Sequence, residues 1–132
     1  MKENPKTIGE RSEAVIMAKL LLNGEVVLQP FGDNQRYDLV IDRDGTFLRI
    51  QCKTGKIRNG AVEFSSCSNA GGYKKKSYYG EIELFAVYCP ENQGVYMVPV
   101  DEAAGITTRL RIDPPKNNSS VSTVRWAKDF VL

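Results

Sequence analysis

Two polar residues, Asp38 and Gln51, could hold a metal ion next to a third, Lys53. Mg²⁺ prefers oxygen ligands, keeps several waters and takes only one or two protein carboxylates. Lys53 could then orient or deprotonate an attacking water, or neutralise charge on a phosphate. The chain contains no histidine, which excludes Ser-His-Asp and Cys-His triads and zinc sites with histidine ligands. Chemistry must therefore come from carboxylates, lysines, hydroxyls or an oxygen-bound metal.

A β-hairpin is predicted to bring these residues together. Tyr37–Arg43 and Thr46–Thr54 alternate apolar and polar residues, and the Asp-Gly pair between them is a strong two-residue turn signal. In that register Asp38 lies directly across from Gln51, with Cβ atoms roughly 4.5–5.5 Å apart, and Lys53 points to the same face. The opposite face is predicted to be the core side and carries Tyr37, Leu39, Ile41, Leu48, Ile50 and Cys52. The plain alternative is a surface charge pair of Asp38 with Lys53, which would add little stability.

A fourth candidate, Glu13, lies on a helix predicted to begin at Thr7 and end near residue 23. Thr7 and Glu10 have the spacing of a capping box, and Gly24 is expected to end the helix. Glu13 shares its flank of the helix with apolar neighbours, so we expect it to be half buried. The stripe expected to face the core contains Ile8, Ala14, Val15, Ala18, Leu21 and Leu22.

The remaining elements indicate an α+β (mixed α/β) fold, with the N-terminal helix packed on a mainly antiparallel central sheet in a single domain, 1–132. Residues 67–81 are predicted to form a loop, and the C-terminal tail is predicted to pack back through Trp126, Phe130 and Val131. Further strands are predicted at Glu25–Gln29, Ala61–Ser66, Ile82–Cys89 and Val95–Val100, with a helical turn at Asp101–Ala104 and an edge strand at Arg109–Ile112.

Composition and cysteine usage indicate a cytoplasmic protein. No apolar run approaches the roughly 20 residues of a membrane span, and the N-terminus lacks the apolar core of a secretory signal. The three cysteines, Cys52, Cys67 and Cys89, form no CxxC pair, which favours a reducing compartment.

Basic residues are concentrated between Arg49 and Lys76, where seven of them accompany one acid, in a chain of net charge +2. This asymmetry favours a polyanionic partner. The segment Tyr73–Lys76, followed by Tyr78 and Tyr79, interleaves cations with aromatic rings and is predicted to grip phosphates. The alternative is a solvated basic loop with its tyrosines tucked against the sheet. Predicted DNA contacts are Asn34, Arg36, Lys56, Arg58, Lys74, Lys75 and Lys76.

The placing of Glu13, Tyr37-Asp38 and Ile50-Gln51-Cys52-Lys53 resembles the PD-(D/E)XK nuclease superfamily. Its signature is a glutamate on the first helix, an aspartate at a strand start and (D/E)-x-K on the next strand. Within it, the chain is similar to small homing endonucleases of group I introns and to archaeal Holliday junction resolvases. The similarity lies in GERSEAVIMAKLLLNGEVVLQPFGDNQRYDLVIDRDGTFLRIQCKTG and, more loosely, SYYGEIELFAVYCPENQGVYMVPV, roughly residues 7–100.

This resemblance implies a restriction-endonuclease-like core and a role for each site residue. Asp38 would be the central metal ligand, Glu13 a further ligand, direct or through water, and Lys53 the catalytic lysine. Gln51 would occupy the (D/E) position, and the backbone carbonyl of Cys52 would also reach the metal. Two departures are Arg36-Tyr37 in place of the family's proline and an amide in place of the second acid.

The expected activity is Mg²⁺-dependent hydrolysis of DNA, with Mn²⁺ able to replace Mg²⁺, leaving a 3′-hydroxyl and a 5′-phosphate. The substrate would be double-stranded or junction DNA, cut by a homodimer or tetramer in a prokaryotic or viral setting. Two alternatives stay open at this point: a nuclease-like DNA-binding module with little or no catalysis, and a plain protein-interaction domain.

Overall fold

One N-terminal helix lies against a five-stranded sheet, and a smaller three-stranded sheet packs on the other side. This computed structural model describes residues 2–69, 74–103, 105–115 and 124–132. The elements are α1 (Pro5–Leu22), β1 (Val26–Leu28), β2 (Leu39–Arg43), β3 (Thr46–Thr54), β4 (Lys56–Arg58), β5 (Ala61–Ser65), β6 (Cys67–Asn69), β7 (Lys75–Ser77), β8 (Leu84–Cys89), β9 (Gly94–Pro99) and β10 (Thr107–Arg111), with short 3₁₀ helices at Val100–Glu102 and Ala127–Asp129.

The sheet topology confirms the predicted α+β fold. The central sheet has the order β1-β2-β3-β8-β9, and its pairings are antiparallel except for β3 with β8. The second sheet has the order β10-β5-β4, so β10 is an edge strand as predicted. Within the described residues, no helix is both long and apolar enough to cross a membrane.

The predicted start of the helix was wrong. Asn4 is the N-cap, and its side-chain oxygen accepts a hydrogen bond from the Lys6 N–H at 2.8 Å. Proline is favoured in the first turn because its fixed φ suits the helix and its missing N–H is not needed there. Asn4 followed by Pro5 therefore starts the helix before Thr7, which lies inside it.

The predicted core stripe of the helix was also wrong in part. The buried line is Ser12, Ile16 and Leu20, spaced by four residues. The predicted stripe lies largely outside it: Val15 is half buried against the core, Ala14, Ala18 and Leu21 are exposed, and Leu22 is 85% exposed. The helix is thus rotated from the expected orientation, and Glu13, beside the buried line, is half buried as predicted.

The hairpin of β2 and β3 has the predicted register, from Arg43 opposite Thr46 to Leu39 opposite Ile50. The predicted core face packs under α1 through Leu39, Ile41, Leu48, Ile50 and Cys52. Tyr37 is the exception, because it packs on the second core, at the other face of the sheet. That second core contains Phe85, Val87 and Val98 of the central sheet together with Val62, Phe64 and Leu110 of the smaller one.

The segment predicted as one loop, 67–81, contains the short antiparallel pair β6 and β7. The C-terminal tail returns to the sheet, where the Met97 N–H donates to the Phe130 carbonyl at 2.8 Å and Phe130 packs on the second core. Val131 forms a bridge with Tyr96 but its side chain is exposed. The helical turn predicted at residues 101–104 begins one residue earlier, and Ala104 and Tyr73 lie outside the described residues.

Candidate active site

The Asp38 carboxylate is fixed to the backbone of β3. The paired ladder ends at Leu39, and the Asp38 N–H donates to the Ile50 carbonyl at 2.8 Å. Asp38 and Leu39 thus both lie opposite Ile50, and the predicted direct pairing of Asp38 with Gln51 was wrong. Instead, Oδ2 of Asp38 accepts a hydrogen bond from the Cys52 N–H at 2.9 Å. The carboxylate therefore lies beside the stretch of β3 that carries Gln51 and Lys53.

Gln51 and Lys53 lie on the same face of β3, as predicted, next to the second core. Their neighbours on β8 are Phe85 and Val87, which are fully buried. The Lys53 ammonium lies 5.0 Å from the centroid of the Tyr78 ring. The amide nitrogen of Gln51 is 3.5 Å from the Cys52 carbonyl oxygen, to which it donates.

Electrostatic coupling joins Glu13, Asp38 and Lys53. Burial raises the pKa of Glu13, and the charges of Asp38 and Glu10 raise it further. Burial also raises the pKa of Asp38, against the opposite effects of the Cys52 N–H and Lys53. The pKa of Lys53 is lowered by burial and raised in part by Asp38. The two acids and the lysine therefore occupy one partly desolvated region.

A hydrogen bond that the sequence analysis missed links the helix to β3. The hydroxyls of Ser12 and Thr54 are 2.6 Å apart, and each is the chain neighbour of a predicted site residue, Glu13 or Lys53. The sequence does place Ser12 four residues before Ile16, and this spacing puts both residues on one face of a helix. It could have indicated that Ser12 faces the sheet. This bond ties the helical turn that carries Glu13 to the end of β3.

The donors in this region fit a hard divalent cation. Burial, together with the charges of Asp38 and Glu13, raises the pKa of the Cys52 thiol, which disfavours the thiolate form that binds metals. In the described ranges, no group of three His, Cys, Asp or Glu side chains could hold a metal ion. A cation here would need the Gln51 amide and the Cys52 carbonyl besides the two carboxylates, and such an all-oxygen set suits Mg²⁺.

The lysines and Arg58 that were predicted to contact DNA lie at the surface on two elements. Lys56 and Arg58 are exposed on β4, where Arg58 lies 3.9 Å from Glu63. Lys74, Lys75 and Lys76 are exposed at β7. Two of these three already have partners: Lys75 donates to the Asn69 side chain at 2.6 Å, and Lys76 lies 3.7 Å from Glu81. Asn34 is exposed in the loop before Asp38.

Arg36 contacts the chain itself. Its guanidinium donates to Glu81 at 3.1 Å, to the Ser68 hydroxyl at 2.6 Å and to the Ser77 carbonyl at 3.0 Å. It also lies 4.0 Å from the centroid of the Tyr78 ring. Tyr78 is buried against the sheet, as the alternative interpretation of this loop expected, whereas Tyr79 is 73% exposed.

Comparison with known proteins identifies the family and the fold of the chain. The family model described as PD-(D/E)XK endonuclease matches residues 3–132. Among solved structures, the bacterial homing endonuclease I-Ssp6803I is similar with a TM-score of 0.77 and 22% identity, over 98% of this chain and 89% of that one. At this identity the likeness shows a shared fold. A comparison with curated protein sequences finds no match. Because the family model spans nearly all of its residues, the chain belongs to the PD-(D/E)XK endonuclease family.

Proposed function

We propose that this endonuclease hydrolyses DNA phosphodiester bonds with Mg²⁺, and that Mn²⁺ can replace Mg²⁺. The carboxylates of Glu13 and Asp38, the amide oxygen of Gln51 and the carbonyl of Cys52 would hold the ion. The observation that carries the proposal is the 2.9 Å bond from the Cys52 N–H to Asp38. It holds an acid on the stretch of strand that presents Gln51 and Lys53.

When bound, a divalent cation would polarise the phosphate and lower the pKa of a nearby water. The chain's own residues supply the positioning. Asp38 uses one oxygen for the Cys52 N–H, so its other oxygen can face the cation. Lys53 places positive charge beside that carboxylate, where it would orient the attacking water or neutralise charge on the phosphate. The products would be a 3′-hydroxyl and a 5′-phosphate.

The proposed substrate is a specific site in double-stranded DNA, as for a homing endonuclease. Support comes from the similar fold of I-Ssp6803I, which is a homing endonuclease by name. Further support comes from the exposed cations of β4 and β7, which would bind DNA phosphates. A four-way junction is the alternative substrate, and offering the enzyme a randomised duplex library and a synthetic junction distinguishes the two.

The central test compares wild type, Lys53→Ala and Lys128→Ala in a Mg²⁺ titration of DNA cleavage. Lys128 is the control because it is an exposed lysine of the C-terminal 3₁₀ helix, outside the proposed site and the predicted DNA contacts. Lys53→Ala should cut at least about 100-fold more slowly at saturating DNA. Lys128→Ala should keep the wild-type rate.

Two results would contradict the proposal. Cleavage by Lys53→Ala at the wild-type rate would show that the active site is elsewhere. Wild-type protein that binds DNA but never cuts it, at any Mg²⁺ or Mn²⁺ concentration, would instead identify a nuclease-like binding module.

We further propose a homodimer, or a tetramer of two dimers, because each chain has one site and duplex DNA has two strands. Exposed apolar side chains at the end of α1 and on β1, including Leu22 and Val26, would be covered in such an assembly. Sedimentation of the free protein and of its DNA complex measures the number of chains. A single chain that cuts both strands would refute this part of the proposal.

A further inference from the structure

The ring of Tyr78 lies within reach of two cations. The Arg36 guanidinium carbon is 4.0 Å and the Lys53 ammonium is 5.0 Å from the ring centroid. Both distances are within the roughly 6 Å over which a cation is attracted to the face of an aromatic ring. A buried ring is thus in contact with the lysine proposed to act in catalysis.

The surroundings of Tyr78 hold this ring in place. The Tyr78 ring packs nearly perpendicular to the Phe85 ring, with 5.5 Å between centroids and 86° between planes, and Phe85 pairs with Gln51 on the neighbouring strand. Arg36, over the Tyr78 ring, is itself held by its bonds to Glu81, the Ser68 hydroxyl and the Ser77 carbonyl. These contacts hold the Tyr78 ring in one position, so its face lies at a fixed place next to Lys53.

Lys53 needs such a surface because its long side chain has many rotamers. Among the described residues, the Lys53 ammonium forms no ion pair within 4.0 Å. A carboxylate partner would occupy its N–H donors and offset its charge. The face of a ring attracts the charge while the N–H donors stay available for a phosphate or a water.

We propose that Tyr78 is a positioning residue of the active site, whose ring holds the Lys53 ammonium in place for catalysis while Arg36 fixes the ring. This inference rests on the proposed role of Lys53. It predicts that the chemical step depends on the ring face and not on the tyrosine hydroxyl.

The first experiment measures single-turnover cleavage at saturating DNA for Tyr78→Phe, Tyr78→Leu and Phe64→Leu. Phe64 is the matched control, since its ring also packs on Phe85, at 5.4 Å, and is buried in the same core. Tyr78→Phe should cut within about twofold of wild type. Tyr78→Leu should be roughly 3- to 30-fold slower, the range of a cation–π contact, with unchanged DNA affinity. Phe64→Leu should lose stability without a comparable loss of rate.

A second experiment keeps the shape of the ring and covers the case in which Tyr78→Leu does not fold. Phenylalanine with one, two or three ring fluorines at position 78 draws electron density from the ring face in steps. The cleavage rate should fall in the same order while the melting temperature stays level, which a purely structural role would not produce.

The outcomes separate this inference from the proposed function. If Lys53→Ala cuts like wild type, the active-site assignment fails and the role of Tyr78 fails with it. If Lys53→Ala is inactive but the fluorinated series cuts at one common rate, the role of Tyr78 alone is refuted. A rate that falls with fluorination, next to an inactive Lys53→Ala, supports both.

Discussion

Replacing Asp38 with asparagine should make the metal-free protein more stable and inactive. Burial is the largest influence on the Asp38 carboxyl and raises its pKa despite the Cys52 N–H and Lys53. The folded state therefore disfavours the charge that Asp38 carries at neutral pH. Asparagine has the same shape, and its side-chain oxygen can still accept the bond from the Cys52 N–H. Asp38→Asn thus removes the penalised charge and keeps the contact.

The size of this effect follows from two opposing contributions. Removal of the penalised charge should contribute on the scale of a single stabilising substitution, about 0.5–2 kcal/mol. The bond from the Cys52 N–H changes from charge-assisted to neutral, which costs up to about 1 kcal/mol. Because the raised pKa means that burial outweighs the favourable contacts, we expect a net gain of about 0.5–1 kcal/mol. Unfolding entropy of about 2.1 cal/mol/K per residue over 132 residues converts this to a rise in Tm of about 2–4 °C.

The assay is thermal unfolding in EDTA and then in increasing Mg²⁺, with DNA cleavage measured in parallel. Mg²⁺ should raise the Tm of wild type, because a ligand of the folded state stabilises it, and should leave Asp38→Asn unchanged. Asp42→Asn is the matched control, since Asp42 accepts a bond from the Gly45 N–H at 2.8 Å in the hairpin turn. A lower Tm for Asp38→Asn in EDTA, or an equal response of both proteins to Mg²⁺, would refute the reasoning.

Three further predictions concern the metal site, the DNA surface and the fold. Gln51→Glu should cut at lower Mg²⁺ concentration because hard cations favour carboxylates, whereas Gln51→Ala should be impaired; an alanine variant that matches wild type across the titration would remove Gln51 from the site. Replacing Lys74–Lys76 with alanine should make DNA binding less dependent on salt. The slope of the logarithm of the binding constant against the logarithm of salt concentration should fall by up to about 0.9 for each phosphate that the variant no longer binds. An unchanged slope would show that these lysines do not contact DNA. Glu83, whose pKa is lowered first by its bond from Arg49, stabilises the fold above the ordinary carboxyl pKa of 4.5 and loses that contribution as pH falls through the lowered value. Glu83→Gln should therefore lower the free energy of unfolding by at most about 1 kcal/mol at pH 7 and not at all in strong acid. Denaturant unfolding at both pH values measures this difference, and an equal loss at the two pH values would contradict the prediction.

The hairpin of β2 and β3 could be predicted because its determinants are local. A two-residue turn fixes the register, and a period of two fixes the faces, so five pairs from Arg43–Thr46 to Leu39–Ile50 follow from the sequence. The orientation of the helix could not be predicted in the same way. Its apolar residues lie on several sides, and the sheet selected the line of Ser12, Ile16 and Leu20. Leu22 is apolar by type, but no element of the described fold covers it.

For the proposed site, the shared face of its strand residues was predictable, but the side-chain contacts were not. Gln51 and Lys53 share a face, as the period of two requires. The offset of Asp38 by one position depends on where β2 ends, which side-chain patterns do not specify. Arg36 contacts Tyr78, which lies 42 positions further along the chain. The strand pair before Tyr78, β6 with β7, has no apolar alternation in its sequence and was therefore not predicted. Such contacts arise only once the sheets have packed.

The end of β2 explains how residues from two opposite layers could share the proposed site. Alternate residues of β3 face opposite layers, so Cys52 packs under α1 while Lys53 faces the second core beside Tyr78. A continuous partner strand would separate Glu13, on the helix side, from Lys53. Because the paired ladder stops at Leu39, the Asp38 carboxylate can bond to the backbone N–H of Cys52 and interact with both groups. The position at which this short strand ends is therefore as important to the proposed active site as the side chains around it.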